Sequence, residues 1–423
     1  MPKPRPTSKR QVLAWAVYDW ANSAFATAVI AGFFPVFFKQ FWSASSDVTV
    51  SSFRLGVANS TASLIVLMLA PVLGAMADQA VLKKRFLSIF VTLGVATTAG
   101  LYFVGKGSWQ AAATCYVLAG IGFAGANIFY DALILNVTEK RHLDVVSSLG
   151  FALGYLGGGL FFAFCVAMSR WPQAFGFADN ADAVRLSFVL TACWWAVFTV
   201  PLLRFVKEHP LDVRVRPKDV IAGGFRQLKS TLQRVRRFRV TGLFLLAYWL
   251  YIDGVDTIVR MAVDYGMALG FPAESLVTAL LITQFVGFPA AIAFGWLGQR
   301  LGPKRGILIG LCVYILITLW GYWLRHTWEF YAIAIAIGLV QGGVQSLSRS
   351  LYARLIPPHA AAEFFGFYNL LGKFAAVLGP AMMGWVSLAT GNTRLSIFSL
   401  LILFIAGGGI LCLVDERAAL QER

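Results

Sequence analysis

The chain has 423 residues, 58% hydrophobic and 13% charged, with a mean hydropathy of +0.70. Soluble proteins carry about 25% charged residues, so this composition excludes a water-soluble enzyme, a disordered chain, a collagen and a disulfide scaffold. The net charge of +16 would suit a nucleic-acid binder only if it formed a patch; instead it gathers between apolar runs, and no nucleic-acid partner is expected.

Those apolar runs fall at 12–38, 55–77, 86–105, 110–136, 146–169, 186–206, 240–265, 275–298, 305–324, 329–352, 364–389 and 395–414. Each can cross about 30 Å of hydrocarbon, which takes roughly 20 helical residues. Alternation at period two is absent, so the spans are predicted to be helices and not barrel strands. The expected fold class is an all-α membrane protein of twelve transmembrane helices. An even count puts both termini on one side, and 27 of the 36 Lys and Arg then fall on that side against 7 on the other. The excess of positive charge predicts that both termini of this multi-pass chain are cytoplasmic. The first run is too long for a cleavable signal and carries Asp19 and Asn22.

Span 1 places Asp19, Asn22 and Ser23 on one face of its cytoplasmic half, and span 4 places Asn127 and Asp131 one turn apart. An ionisable group inside a span costs about 2.5–3.5 kcal/mol on insertion scales, so each asks for a reason. Binding a substrate is one reading; cross-linking helices is the other. After span 6, residues 207–239 carry ten Lys and Arg against Glu208, Asp212 and Asp219, and divide the chain into two six-helix bundles, 1–206 and 240–423. Within that linker Ile221, Phe225, Leu228, Leu232 and Val235 recur at helical spacing, which fits either an amphipathic helix on the membrane face or a solvated basic linker. Span 7 is the richest, with Asp253, Asp256, Thr257, Arg260 and Asp264 on one face. Arg260 and Asp264 read as an intrahelical ladder with Asp256. Asp253 and Asp256, near mid-depth, read as a pair that shares a site and exchanges protons. Span 10 offers Gln341, Gln345 and, near the cytoplasmic edge, Arg349 as a gating or snorkelling residue. Span 11 offers Asn369 and Lys373, whose lone ammonium calls for an acid among Asp19, Asp131, Asp253 and Asp256.

The five cysteines stand singly in apolar runs and read as small core residues. His142, His209, His326 and His359 lie in or beside loops, and no HExxH, phosphate loop or Gly-x-Ser-x-Gly occurs. No enzyme chemistry, cofactor, metal or direct use of ATP is therefore expected.

The halves echo each other at the same span numbers. Gly74-Ala75-Met76-Ala77-Asp78 with Lys83-Lys84-Arg85 answers Gly295-Trp296-Leu297-Gly298-Gln299-Arg300 with Lys304-Arg305. Tyr18-Asp19 with Asn22-Ser23 answers Tyr251, Asp253, Asp256 and Thr257, and Gly150-Phe151 answers Gly366-Phe367. Six plus six helices with such a loop after span 2 resemble the major facilitator superfamily. Narrower motifs resemble the family of the autophagy-related vacuolar effluxer and its bacterial relatives: Tyr18-Asp19-Trp20-Ala21-Asn22-Ser23-Ala24-Phe25, Ser147 to Gly158, Tyr251 to Ile258 and Phe364 to Tyr368. Gln79, Val81 and Gln299 depart from the superfamily loop pattern, where a basic residue, a glycine and an acid are usual.

The resemblance implies facilitator-type transport, with amino acids the substrate class of the fungal member. Together with the buried charges it leads to an expected secondary transporter of a small polar or zwitterionic metabolite, coupled to protons through Asp253 or Asp256, working as a monomer in the lipid bilayer of the plasma membrane, a bacterial inner membrane. Asp19, Asn22, Ser23, Asn127, Asp131, Asp253, Asp256, Gln341, Gln345, Asn369 and Lys373 are its expected cavity residues. Gly74, Asp78, Lys83, Arg300 and Arg349 are expected to gate it. The many aromatic side chains leave a second reading, transport of an amphipathic or lipid-linked cargo. A third is a membrane receptor or assembly factor that transports nothing.

Overall fold

The computed structural model describes residues 8–44, 48–80, 82–208, 239–268, 273–374 and 378–416. Twelve membrane helices follow in chain order. They are α1 (Lys9–Trp42), α2 (Val48–Ala80), α3 (Lys83–Gly100), α4 (Trp109–Val137), α5 (Leu143–Arg170) and α6 (Asn180–Phe205), then α7 (Arg239–Ala268), α8 (Ala273–Leu301), α9 (Pro303–Tyr322), α10 (Thr327–Leu355), α11 in two pieces (Ala361–Phe374 and Leu378–Thr390), and α12 (Ser399–Leu413). Ten runs qualify as membrane-crossing by length and apolarity alone; α2 and the two-piece α11 are the other two. The predicted basic linker helix and the residues proposed for it lie outside the described residues.

The ends of the helices are tied locally. Glu208, an acid in the basic stretch after α6, accepts the backbone N–H groups of Lys83 at 2.9 Å and Lys84 at 2.8 Å, capping α3 where no local side chain does so. Asp179 caps α6 through the N–H of Asp182 at 3.0 Å. Lys304, at the start of α9, donates to the carbonyls of Cys412 and Val414 at 2.7 Å each, and the Arg10 guanidinium lies 3.9 Å from the Phe205 ring. The start of α1 and the ends of α6 and α12 therefore share one face, called here the terminal face; the other is the distal face.

Within the first half α1 packs on α5 and α6, and α3 on α4; within the second α10 packs on α8 and α9, and α7 on α12. Between the halves α5 lies along α8 and α10, and the first piece of α11 lies along α2. Large apolar side chains such as Leu388, Phe103 and Leu413 project outward, which in water would invite aggregation and in hydrocarbon is the favourable arrangement. Trp171, Trp323, Trp328 and Trp385 are exposed around the distal ends of their helices, the interfacial depth indoles prefer. The expectation for the cysteines needs correcting. Cys165 is buried and Cys115 partly so, but Cys193, Cys312 and Cys412 face outward, because a thiol in lipid has no need of a protein core.

Candidate substrate cavity and its closure

Between the halves lies a cavity of about 390 Å³. α1 contributes Asp19, Asn22, Ser23 and Thr27 to it, α4 contributes Asn127, Tyr130 and Asp131, and α5 contributes Phe151 and Tyr155. From the second half come Tyr248 and Asp256 of α7, Gln284 of α8, Gln341, Gln345 and Arg349 of α10, and Tyr368, Asn369 and Gly372 of α11. Of the residues expected there, Asp19, Asn22, Ser23, Asn127, Asp131, Asp256, Gln341, Gln345 and Asn369 are all brought together. Asp253 is not. Spacing put it on the same face as Asp256, but it is fully buried against α11, its carboxylate taken up by backbone N–H groups. Lys373 sits in the first piece of α11, and its side chain, like those of Arg260 and Asp264, lies outside the described residues. Tyr248, Thr27 and Gln284 escaped the sequence reading, and Tyr155 and Tyr368 entered it only within family motifs and not as cavity residues. Tyrosines and threonines are common in apolar runs, and only their neighbours reveal which ones line a cavity.

Arg349 forms the cavity floor. It is 3% exposed, and its guanidinium reaches across from α10 to three helices of the first half. Nη1 meets Asp131 Oδ1 at 3.1 Å, Nη2 meets Asp19 Oδ2 at 3.4 Å, and Ser147 accepts from Nε through Oγ at 2.9 Å and from Nη2 through its carbonyl at 2.8 Å. The rings of Phe151, Trp15 and Tyr130 lie 4.4, 4.9 and 5.4 Å from the cation. A planar, delocalised cation suits such a site, since it can accept carboxylates in its plane and rings on its faces. The carboxylates are themselves held. Tyr130 donates to Asp19 Oδ2 at 2.7 Å, and Asn369 of α11 donates to Asp131 Oδ2 at 2.8 Å. Just above, Asn22 donates to Asn127 Oδ1 at 2.7 Å, tying α1 to α4.

Below this floor the halves are sealed. Asp144, at the start of α5, accepts from Ser350 Oγ at 2.5 Å and from Arg354 Nη2 at 2.6 Å. The hydroxyls of Ser148 and Ser346 lie 2.8 Å apart. On the opposite flank Asp78 pairs with Lys83 at 2.8 Å and accepts the N–H of Glu363, at the start of α11, at 2.9 Å. Gly74 lets α2 approach, since a Cβ there would come within 2.5 Å of the Ala362 carbonyl oxygen. Of the residues expected to gate, Gly74, Asp78, Lys83 and Arg349 thus stand at contacts between or beside the halves, whereas Arg300 is exposed at the end of α8. The sequence reading did not single out Asp144, Ser350 or Arg354. Toward the distal side Gln284 Nε2 donates to Thr27 Oγ1 across the cavity at 2.9 Å, beside Leu280 and Leu281, which pack against the cluster of Phe161, Phe162 and Cys165. The lining continues past it to Ala31 of α1, which is exposed.

Twelve helices around a charged central cavity, closed at one face by contacts between the halves, are the build of a major facilitator transporter. The solved structure of the major facilitator transporter FucP in its outward conformation superposes with a TM-score of 0.73 at 14% identity, covering 97% of this chain and 100% of that one. The human organic anion transporter MFSD10 superposes at 0.74 and 14% identity over 96% of this chain and 100% of its own. The family described as "Vacuole effluxer Atg22 like" matches residues 42–143 and 134–423, and the chain belongs to it. Among relatives, the MFS-type transporter YxiO of Bacillus subtilis (strain 168) is 39% identical over 97% of this chain and 96% of its own. Autophagy-related protein 22 of Coccidioides immitis (strain RS) is 24% identical over 97% and 87%. The chain is a multi-pass membrane transporter and not an enzyme.

Proposed function

We propose that the chain is a secondary transporter that moves a small polar or zwitterionic metabolite, amino acids included, by alternating exposure of the central cavity, with protons as the coupling ion. One observation carries the reading: the cavity floor is a buried cation of one half shared between two carboxylates of the other. A zwitterion presents to such a floor the same two charges that already meet there. A substrate carboxylate competes with Asp19 and Asp131 for Arg349, and a proton arriving on either acid loosens the same contact. Each weakens what holds the terminal face shut, so loading from the distal side favours opening on the other. The terminal face is the cytoplasmic one on the distribution of Lys and Arg, in the plasma membrane, and the protein works as a monomer. Of the two acids expected to exchange protons in span 7, Asp256 keeps that role because it lines the cavity. The paired charges at the cavity floor favour this cargo over an amphipathic one.

Purified protein in liposomes tests the proposal. A mixture of radiolabelled amino acids and a labelled lysolipid are offered separately, with and without an imposed pH gradient. Uptake of amino acids that rises with the gradient is expected. Uptake of the lysolipid alone would overturn the cargo, and uptake indifferent to the gradient would overturn the coupling.

A further inference from the structure

α11 is described in two pieces, Ala361–Phe374 and Leu378–Thr390. At the start of the second, the backbone N–H groups of Leu378 and Gly379 donate to a side chain, at a depth where lipid offers no acceptor. Asp253 of α7 supplies one for each. Its Oδ2 accepts the N–H of Leu378 at 3.1 Å, and its Oδ1 accepts the N–H of Gly379 at 2.9 Å together with the hydroxyl of Thr257 at 3.2 Å. Asp253 and Thr257 are both fully buried. The approach requires glycine at 379, since a Cβ there would collide with Thr257 Oγ1 and sit 2.9 Å from Asp253 Oδ1.

The internal repeat sharpens what this means. Asp19 and Ser23 of α1 stand where Asp253 and Thr257 stand in α7, and in each half the pair packs on glycines of that half's fifth helix: Gly150 and Gly154 in α5, Gly379 in α11. α5 runs unbroken from Leu143 to Arg170 and has no interior N–H groups to cap, so Asp19 engages Tyr130 and Arg349 and faces the cavity. In α7 the equivalent carboxylate is turned onto the backbone of α11 instead. Matching positions of the repeat thus engage a cavity cation in one half and a helix backbone in the other.

We propose that Asp253 is a positioning residue for transport: its carboxylate pins the distal piece of α11 to α7, the helix that carries Asp256 into the cavity. It acts as a hydrogen-bond acceptor and carries no transported proton. The proposal rests on the transport reading only for its second measurement.

The first measurement needs no substrate. Amide hydrogen exchange on the full chain in nanodiscs is followed in the peptide beginning at Leu378, for the parent, Asp253→Ala and Asp256→Ala. Asp253→Ala is expected to exchange there roughly tenfold faster, the equivalent of losing a helix cap worth about 1.4 kcal/mol, and Asp256→Ala is expected to match the parent. Unchanged exchange in Asp253→Ala overturns the proposal. The second uses Asp253→Asn, which keeps one acceptor oxygen but cannot ionise. Uptake of the radiolabelled amino-acid mixture is expected to slow while the ratio of uptake with and without a pH gradient stays at the parent value. A ratio that falls to one in this variant alone overturns the proposal in favour of proton carriage. Should the mixture not be transported by the parent, the transport reading fails and the exchange measurement still decides the role of Asp253.

Discussion

At the scale of single residues, Arg349 shows why a buried cation is a commitment to particular partners. Its charge is 3% exposed and shared by Asp19 and Asp131, so removing it leaves two acids in a low-dielectric interior with no counter-charge. Breaking a buried pair in this way costs about 3–5 kcal/mol, more than the pair itself contributes over an apolar replacement. Arg349→Leu is therefore expected to lower the melting temperature of the detergent-solubilised protein, and adding Asp131→Asn to the same chain is expected to restore part of the loss. A double variant as unstable as Arg349→Leu, followed by a thiol-reactive dye during heating, would show that the acids do not depend on the arginine. Arg349 was legible in the sequence because a charge in an apolar run draws notice, but its partners were not. They lie 218 and 330 positions away, and spacing along one helix says nothing about them. Asp253 was misread for the complementary reason. Helical spacing sets residues on a common face, yet a face about 100° wide can touch a cavity on one side and a neighbouring helix on the other.

At the scale of elements, the twelve spans were readable because about 20 apolar residues per crossing is a physical requirement that leaves a plain mark in the chain. The bonds from the backbone of Leu378 and Gly379 to Asp253 were not read, since hydropathy runs unbroken through 364–389. Gly379-Pro380 was the available signal, a proline without an N–H being tolerated in the first turn of a helix and disfavoured in its interior. Contacts between elements were less legible still, as the α5 to α10 seam shows. There the Ser148 and Ser346 hydroxyls lie 2.8 Å apart, and a Cβ added to Gly295 of α8 would lie 2.8 Å from that of Ser148. Ser148→Leu overfills this seam, at a cost of about 1–3 kcal/mol if the halves stay closed, so opening the terminal face becomes the cheaper response. With the native cysteines replaced and Ser147→Cys as reporter, an impermeant maleimide added at the terminal face is expected to label the Ser148→Leu protein faster than its parent. Equal labelling would mean that the seam absorbs the bulk without opening.

At the scale of the whole molecule, the two ends of the cavity are held with unequal strength. The terminal side has charged contacts at Arg349 and at Asp144 with Ser350 and Arg354, while toward the distal side Gln284 and Thr27 share a neutral hydrogen bond among the described residues. Hydrogen bonds to charged groups contribute about 1.5–3 kcal/mol against roughly 1 kcal/mol for a neutral one, so the terminal-closed arrangement is expected to be the resting state. Both contacts must nevertheless break once per cycle if the cavity opens to each side in turn. Cysteines at positions 144 and 350, or at 27 and 284, place thiols on residues whose side chains meet across each end of the cavity. Linked by a short bis-thiosulfonate through disulfides in a background without native cysteines, either pair is expected to stop uptake into liposomes, and a reductant is expected to restore it. The unequal strengths add a second expectation: the 144–350 pair should cross-link quickly without substrate, and cross-linking should slow when the radiolabelled amino-acid mixture is present and the halves spend time apart. Transport that continues with the 144–350 cross-link in place would mean that the path does not run through the terminal seam, and the alternating use of this cavity would have to be abandoned.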